Sequence, residues 1–256
     1  MSDIYISIVS HGNDLDIINN TNLVEVNGLE NVTVIIRDNI TSDKLKEYCV
    51  DKGFIYNASS ETLGFGANNN INFKVASELG MRKSDWFILF NPDLDISAVM
   101  IKKLSETFQN QSEQIFAINL FFDAHFSKME YSLRKFPNFF SFVNILKKKS
   151  LTDTYDKSTL PDRSIVDWAA GSFLVFQADL YKKLNGFDEN YFMYFEDVDI
   201  CFRARKYYDQ NVVYLSNIKA IHQGGYQNRK IFSKHFRWYF SSLLRFLFKS
   251  TFGFKK

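Results

Sequence analysis

Four short apolar runs in the first third of the chain, each followed by polar residues, constrain its fold more than any other feature. Ile4-Tyr5-Ile6-Ser7-Ile8-Val9 ends at Ser10-His11-Gly12, residues 32–36 end at Arg37-Asp38-Asn39, and residues 86–90 end at Asn91-Pro92-Asp93. Between the first and second runs lies a helical stretch of roughly residues 14–27, and another spans 41–51. Phe54-Ile55-Tyr56 makes a third, shorter strand, followed by Gly64-Phe65-Gly66 and a helix over about 67–79. Strands this apolar need cover on both faces, and helices alternating with them supply it in a parallel, doubly wound α/β sheet. Ligands bind such sheets outside the carboxyl ends of the strands. Ser10, His11, Asp38, Asn39 and Asp93 all stand at those ends.

Further on, residues 97–110 predict a helix, 115–121 a strand, 167–176 another strand, 178–184 a short helix and 197–208 a longer one. The stretch 128–159, with Pro137, several aromatics and Lys147-Lys148-Lys149, reads either as a mobile loop region over the site or as a solvated excursion. Cys49 and Cys201 lack metal-type spacing, so two buried reduced thiols and a cytosolic setting are expected. The start is too short for a signal peptide and lacks its basic leader, and no apolar run is long enough to span a membrane.

Three constellations carry chemistry. Asp93, just past a hydrophobic strand, is placed to hold Mg²⁺ or Mn²⁺ against two phosphates, with His222 in Ile221-His222-Gln223-Gly224-Gly225 as a remote second ligand. Taken singly, the first is also a plain Asn-Pro-Asp turn and the second a surface histidine. Glu196-Asp197-Val198-Asp199 puts three carboxylates in four positions at a helix start, where the macrodipole favours their ionised form and one can act as general base. Gly64 to Asn70 opens a helix whose terminal amides favour phosphate, yet it lacks the third glycine of a dinucleotide fingerprint, which argues against an NAD enzyme.

Together these residues resemble the family 2 glycosyltransferases of the GT-A fold, and among them the bacterial rhamnosyltransferases of O-antigen assembly. The similarity spans nearly the whole chain and runs through residues 8–12, Arg37-Asp38-Asn39, Gly64-Phe65-Gly66 with Asn69-Asn70, and Asn91-Pro92-Asp93. It continues in Asp167-Trp168-Ala169-Ala170-Gly171-Ser172, Gly186-Phe187-Asp188, residues 196–199 and His222. The rhamnose assignment leans on residues 131–137 and on Phe232-Ser233-Lys234 with Phe236-Arg237-Trp238. The resemblance implies a donor site of Ser10, His11, Asp38, Gly64, Phe65, Gly66, Asn69, Asn70, Asn91 and Asp93, with Asp38 on the thymine or uracil base. It implies Asp93 and His222 as ligands of a divalent metal, Asp197 as catalytic base, and Trp168, Gly171 and Glu196 at the acceptor. The reaction would be a single displacement with inversion, from dTDP-rhamnose to a polyprenyl-diphosphate-linked sugar. The alternatives are the same fold with UDP-galactofuranose or a UDP-hexose, or a non-catalytic saccharide-binding subunit. Asn91 stands where the family's Asp-x-Asp motif has its first acid, leaving one fewer charge for the metal, and Thr62 stands where relatives often have Asn.

The tail is expected to form a unit of its own, residues 229–256, beside a catalytic domain over 1–228. Residues 210–256 hold nine of the 31 basic residues and none of the 29 acidic ones. Phe232, Phe236, Tyr239, Phe240, Leu243 and Leu247 form a helical stripe, with Lys230, Lys234, Arg237, Arg245 and Lys249 opposite. Such a helix suits an anionic membrane surface, here the cytoplasmic face of a bacterial inner membrane, or packs its stripe on the catalytic body. Nucleic acid is not expected as a partner, because it would not explain the sugar-transfer motifs.

Overall fold

The computed structural model describes residues 2–58, 61–109, 111–138, 153–224 and 234–253. The lysine run 147–149, Gly225, Lys230, Phe232 and Ser233 lie outside them.

The four early strands form as expected. They are β1 (Ile4–Ser10), β2 (Val32–Asp38), β3 (Ile55–Ala58) and β4 (Trp86–Phe90), parallel in the order β3-β2-β1-β4. After the two-residue β5 (Leu94–Asp95) come β6 (Ile115–Phe121), β7 (Leu133–Arg134), β8 (Ser164–Val166), β9 (Trp168–Ala169), β10 (Phe173–Gln177) and β11 (Val212–His222). The main sheet continues β4-β10-β6-β11-β5, with β8 beside β11. β10 runs antiparallel to both its neighbours, whereas β6 and β11 run with β1–β4, so six of the nine strands point one way. Their carboxyl ends share one edge, and the amino end of β10 joins them there because Phe173 pairs with Phe90.

Helices cover both faces. Ile88 and Phe90 belong to one core with Ile6, Ile8, Val34 and Phe116, while Phe87 and Leu89 face a second with Phe176, Tyr181 and Val198. That split follows from the two-residue period of a strand. The helices are α1 (Asp14–Ile18), α2 (Thr21–Asn27), α3 (Asp43–Asp51), α4 (Phe65–Glu78), α5 (Ala98–Thr107), α6 (Ala178–Lys183), α7 (Glu196–Tyr208) and α8 (Lys234–Phe252).

Three expectations need correction. The helix over 14–27 is two helices, because the Asn20 side chain accepts from the Leu23 N–H and caps a new start. The strand over 167–176 is two strands in different sheets: β9 pairs with β7, and β10 enters the main sheet. The turn between them is held by Ala170 N–H donating to Ser132 O at 2.9 Å and by Gly171 N–H donating to Asp197. The flanks of 128–159 pack into the fold rather than forming a solvated excursion, and residues 139–152 between them lie outside those described. Arg134 bridges Thr154, Leu133 is fully buried, and Lys157 is buried with its ammonium on Ser132 Oγ at 2.8 Å.

Helix α8 packs on the body. Leu243, Phe246 and Leu247 are buried, and the Phe246 ring meets Phe202 and Phe195 at 5.5 and 6.0 Å. The amphipathic face is rotated from the predicted stripe: Tyr239, Leu243 and Leu247 turn inward, but Phe240 turns outward. Lys249 is not on a free face either. It pairs with Asp188 and with Asp199, the latter at 3.4 Å, and Arg245 lies over the Tyr191 ring. The acidic and aromatic surface of the 188–199 segment attracts these cations, whereas helical periodicity alone points them to solvent.

Candidate active site

At the carboxyl edge, Asn91-Pro92-Asp93 turns the chain out of β4, with Leu94 N–H donating to Asn91 O at 3.1 Å. The chain then pairs β5 with the end of β11, Leu94 opposite His222, and Gln223 N–H donates to Asp93 O at 3.1 Å. This pairing brings two residues remote in sequence together: Asp93 Oδ1 stands 3.2 Å from His222 Nε2, and the Asn91 amide nitrogen 3.4 Å from it. The other imidazole nitrogen, Nδ1, is 3.0 Å from Glu130 Oε2. Burial disfavours the imidazolium, but the bonds to Asp93 and Glu130 outweigh it and push His222 up to about 9. Burial likewise works against the Asp93 carboxylate, yet the His222 bond and charge hold its pKa below the ordinary value.

The donor set fits a hard divalent cation. Asp93 would supply a carboxylate oxygen and His222 an imidazole nitrogen to the ion, the two now being paired directly at 3.2 Å. Among the described residues no three His, Cys, Asp or Glu side chains form a complete cage, so substrate oxygens and water would have to fill the remaining positions.

The acidic helix start lies across the same edge. Asn91 N–H donates to Ser172 O at 2.9 Å, and the neighbouring Gly171 N–H donates to Asp197 Oδ2 at 3.1 Å. The Asp93 turn and Asp197 are thereby joined through a few bonds. Asp197 Oδ1 also accepts from Val198 N–H at 2.8 Å. Burial raises the Asp197 pKa, while these backbone donors and the Arg134 charge oppose the rise. Its neighbour Glu196 is 7% exposed, and its Oε2 has no hydrogen-bond partner among the described residues. Burial first, then the Asp197 charge, pushes Glu196 up to about 8. Burial thus favours a proton on the pair, most strongly on Glu196. Tyr194 and Phe195 just before them are left-handed at φ 72° and 69°, a conformation that costs a bulky residue about 1–3 kcal/mol.

Several residues expected to touch ligands are bonded within the protein. Asp38 is fully buried, and its carboxylate accepts from the N–H groups of Ile40, Thr41 and Ser42 and from Tyr56 OH, which shapes the loop after β2. Asn69 is bonded into the sheet through Ser7 Oγ at 2.6 Å, and Asn70 clamps Phe187 N–H and O. Trp168 is buried with its indole N–H on Lys135 O at 2.9 Å. Ser10 is buried and donates to Asp14 at 3.2 Å.

The glycines shape the site through close packing. A Cβ on Gly64 would collide with the Phe192 carbonyl, and one on Gly66 would lie 2.8 Å from Phe187 Cβ. Phe65 packs edge-on against Phe187 and lies where a Cβ on Gly171 would reach, 3.2 Å from its ring. His11 stays exposed, its Nδ1 3.1 Å from the Asn39 amide. Asn39 in turn ties β2 to Leu63 through both its amide atoms. Glu130 and Lys157 carried no sequence signal, because neither sits in a motif or at a predicted element end.

No family model matches the chain. It is 33% identical to the rhamnosyltransferase WbbL of Escherichia coli K12 over 248 residues, covering 95% of this chain and 92% of that protein. This chain belongs to the family 2 glycosyltransferases. The enzyme is also 24% identical, over 87% of its length and 67% of the other's, to the low-salt glycan biosynthesis hexosyltransferase Agl10 of Haloferax volcanii. Solved structures confirm the GT-A fold of the glycosyltransferase. A Pyrobaculum calidifontis mannosyltransferase in complex with GDP-Man and Mn²⁺ superposes with TM-score 0.57 at 11% identity, covering 89% of this chain and 60% of that one. Residues 1–349 of S. aureus TarS with UDP-GlcNAc superpose with TM-score 0.57 at 11% identity, covering 90% and 62%.

Proposed function

We propose that this glycosyltransferase moves L-rhamnose from dTDP-rhamnose to a polyprenyl-diphosphate-linked sugar, with inversion, in the assembly of O-antigen or another cell-surface polysaccharide. The observation that carries the reading is the alignment of a rhamnosyltransferase with 95% of the chain. The pairing of Asp93 with His222 and the backbone amides of Gly171 and Val198 that orient the Asp197 carboxylate support it chemically.

Asp93 and His222 would hold Mg²⁺ or Mn²⁺, which supplies charge neutralisation to the departing diphosphate. Asp197, oriented by the Gly171 and Val198 amides, accepts the proton of the acceptor hydroxyl as that oxygen attacks the anomeric carbon. The raised pKa of Glu196 favours its protonated form, which leaves Asp197 as the base. Gly64, Phe65 and Gly66 set the wall of the donor pocket, and His11 and Asn91 lie along its rim.

Membrane contact belongs to the same proposal. Among the described residues no helix is long and apolar enough to cross a membrane. Outward on α8, Phe240, Leu244, Phe248 and Phe252 form an i, i+4 row that is 39, 45, 66 and 72% exposed, with Arg237 exposed near its start. A row of this kind suits the interface of an anionic inner-membrane leaflet on its cytoplasmic side, where a lipid-linked acceptor is presented.

The test is a panel of nucleotide sugars incubated with the enzyme, Mg²⁺ and a lipid-linked acceptor. Transfer from dTDP-rhamnose is expected, and turnover with UDP donors alone would overturn the rhamnose assignment. The second reading, a hexose donor, is favoured by the similarity to Agl10 and would show in the same panel.

A further inference from the structure

Glu130 is buried at 6% exposure yet belongs to no motif. The chain reaches it by leaving β6, turning at residues 122–128 with Phe122 N–H on Lys128 O, and returning so that Glu130 N–H donates to Leu120 O at 2.9 Å. That return bond sets the Glu130 backbone beside the sheet edge and aims its carboxylate at His222 Nδ1, 3.0 Å away. Nε2 then faces Asp93 and Asn91.

Lys157 stabilises the arrangement from behind. Its buried ammonium donates to Ser132 Oγ at 2.8 Å and to Leu120 O at 3.4 Å, the same carbonyl that anchors Glu130. Burying a lone carboxylate is unfavourable, and a nearby cation together with the imidazole offsets the loss of hydration. A carboxylate placed behind a ligating histidine fixes the ring orientation and raises the basicity of the free nitrogen.

We propose that Glu130 is the positioning residue of the metal site: it holds His222 by Nδ1 so that Nε2 is presented beside Asp93 to a divalent cation, and Lys157 keeps Glu130 in place. The proposal rests on the reading of Asp93 and His222 as metal ligands. Glu130 itself contacts neither substrate nor metal.

The experiment measures Mn²⁺ binding to the full chain without sugar, by the electron paramagnetic resonance signal of free Mn²⁺, for wild type, Glu130→Ala, Glu130→Gln and Asp93→Asn. Glu130→Ala is expected to weaken binding about 10–100-fold. Glu130→Gln, which keeps the shape and an acceptor oxygen, is expected to weaken it less and serves if the alanine variant does not fold. In ¹⁵N-histidine spectra with Mg²⁺, wild type should show a downfield, slowly exchanging Nδ1 proton on His222 that Glu130→Ala loses. Mn²⁺ affinity within twofold of wild type in a folded Glu130 variant, while Asp93→Asn loses binding, would overturn the positioning role. Unchanged affinity in Asp93→Asn would instead overturn the metal reading beneath it.

Discussion

Glu196 and Asp197 are adjacent carboxylates in different surroundings. Asp197 accepts two backbone N–H groups, whereas Glu196 is buried with an unpartnered oxygen. Asp197→Asn should leave folding and donor binding intact and reduce transfer roughly 10²–10⁴-fold, the usual contribution of a positioned base, as read by calorimetry and a turnover assay. Glu196 gives a stability signature. Its folded pKa, about 8, lies above the ordinary carboxylate range, so the unfolded chain releases this proton first as pH rises. The associated stability is complete below the unfolded pKa and is lost as pH climbs towards 8. Glu196→Gln cannot ionise, so its melting temperature should fall less than that of wild type between pH 5 and pH 8. Equal falls in both proteins would refute the neutral Glu196.

At the scale of elements, the site depends on the start of α4 lying against the 186–196 segment. Phe65 N–H donates to the Phe192 carbonyl at 3.3 Å, Asn70 bonds Phe187 and Glu189, and Arg203 joins Asp199 to the Leu184 and Gly186 carbonyls. These contacts hold the left-handed Tyr194 and Phe195, and hence the entry of α7, in place. Gly64→Ala would force the two backbones apart. A loss of about 1–3 kcal/mol is expected by urea denaturation, the range for overpacking a close contact. This interlock also explains what the motifs around Gly64–Asn70 could reveal. They located the segment that packs against the acidic helix start, and Asn69 and Asn70 turn towards Ser7 and Phe187. A motif specifies which residue types occur together, and the backbone path decides which way each side chain points.

For the whole molecule, α8 has two apolar faces with different neighbours. Leu243, Phe246 and Leu247 are buried against the α7 side of the body, whereas Phe248 and Phe252 remain exposed. Replacing both Phe248 and Phe252 with Ser should leave the melting temperature nearly unchanged and sharply reduce co-sedimentation with vesicles containing anionic lipid. Undiminished vesicle binding would remove this row from the membrane contact. Phe246→Ala is the converse case: it should destabilise the fold by about 3–5 kcal/mol, the range for emptying a buried aromatic site, as measured by chemical denaturation.

Much of the architecture was legible in the sequence alone, because local patterns encode it. Apolar runs with polar ends specified β1, β2 and β4, and placed Asp93 and Asp38 at strand ends. The acidic cluster 196–199 marked the start of α7, since like charges gathered there are accommodated by a helix amino terminus. The tertiary structure decided what depends on non-local pairing. The β5–β11 ladder sets His222 beside Asp93, and the return from β6 brings up Glu130. The division at Ala170-Gly171-Ser172 turns an amide onto Asp197, and the face of α8 that meets the body is chosen by the aromatic and acidic surface it finds there. Periodicity reports that a residue wants burial or a strand end, but only the assembled chain supplies the partner that its side chain meets.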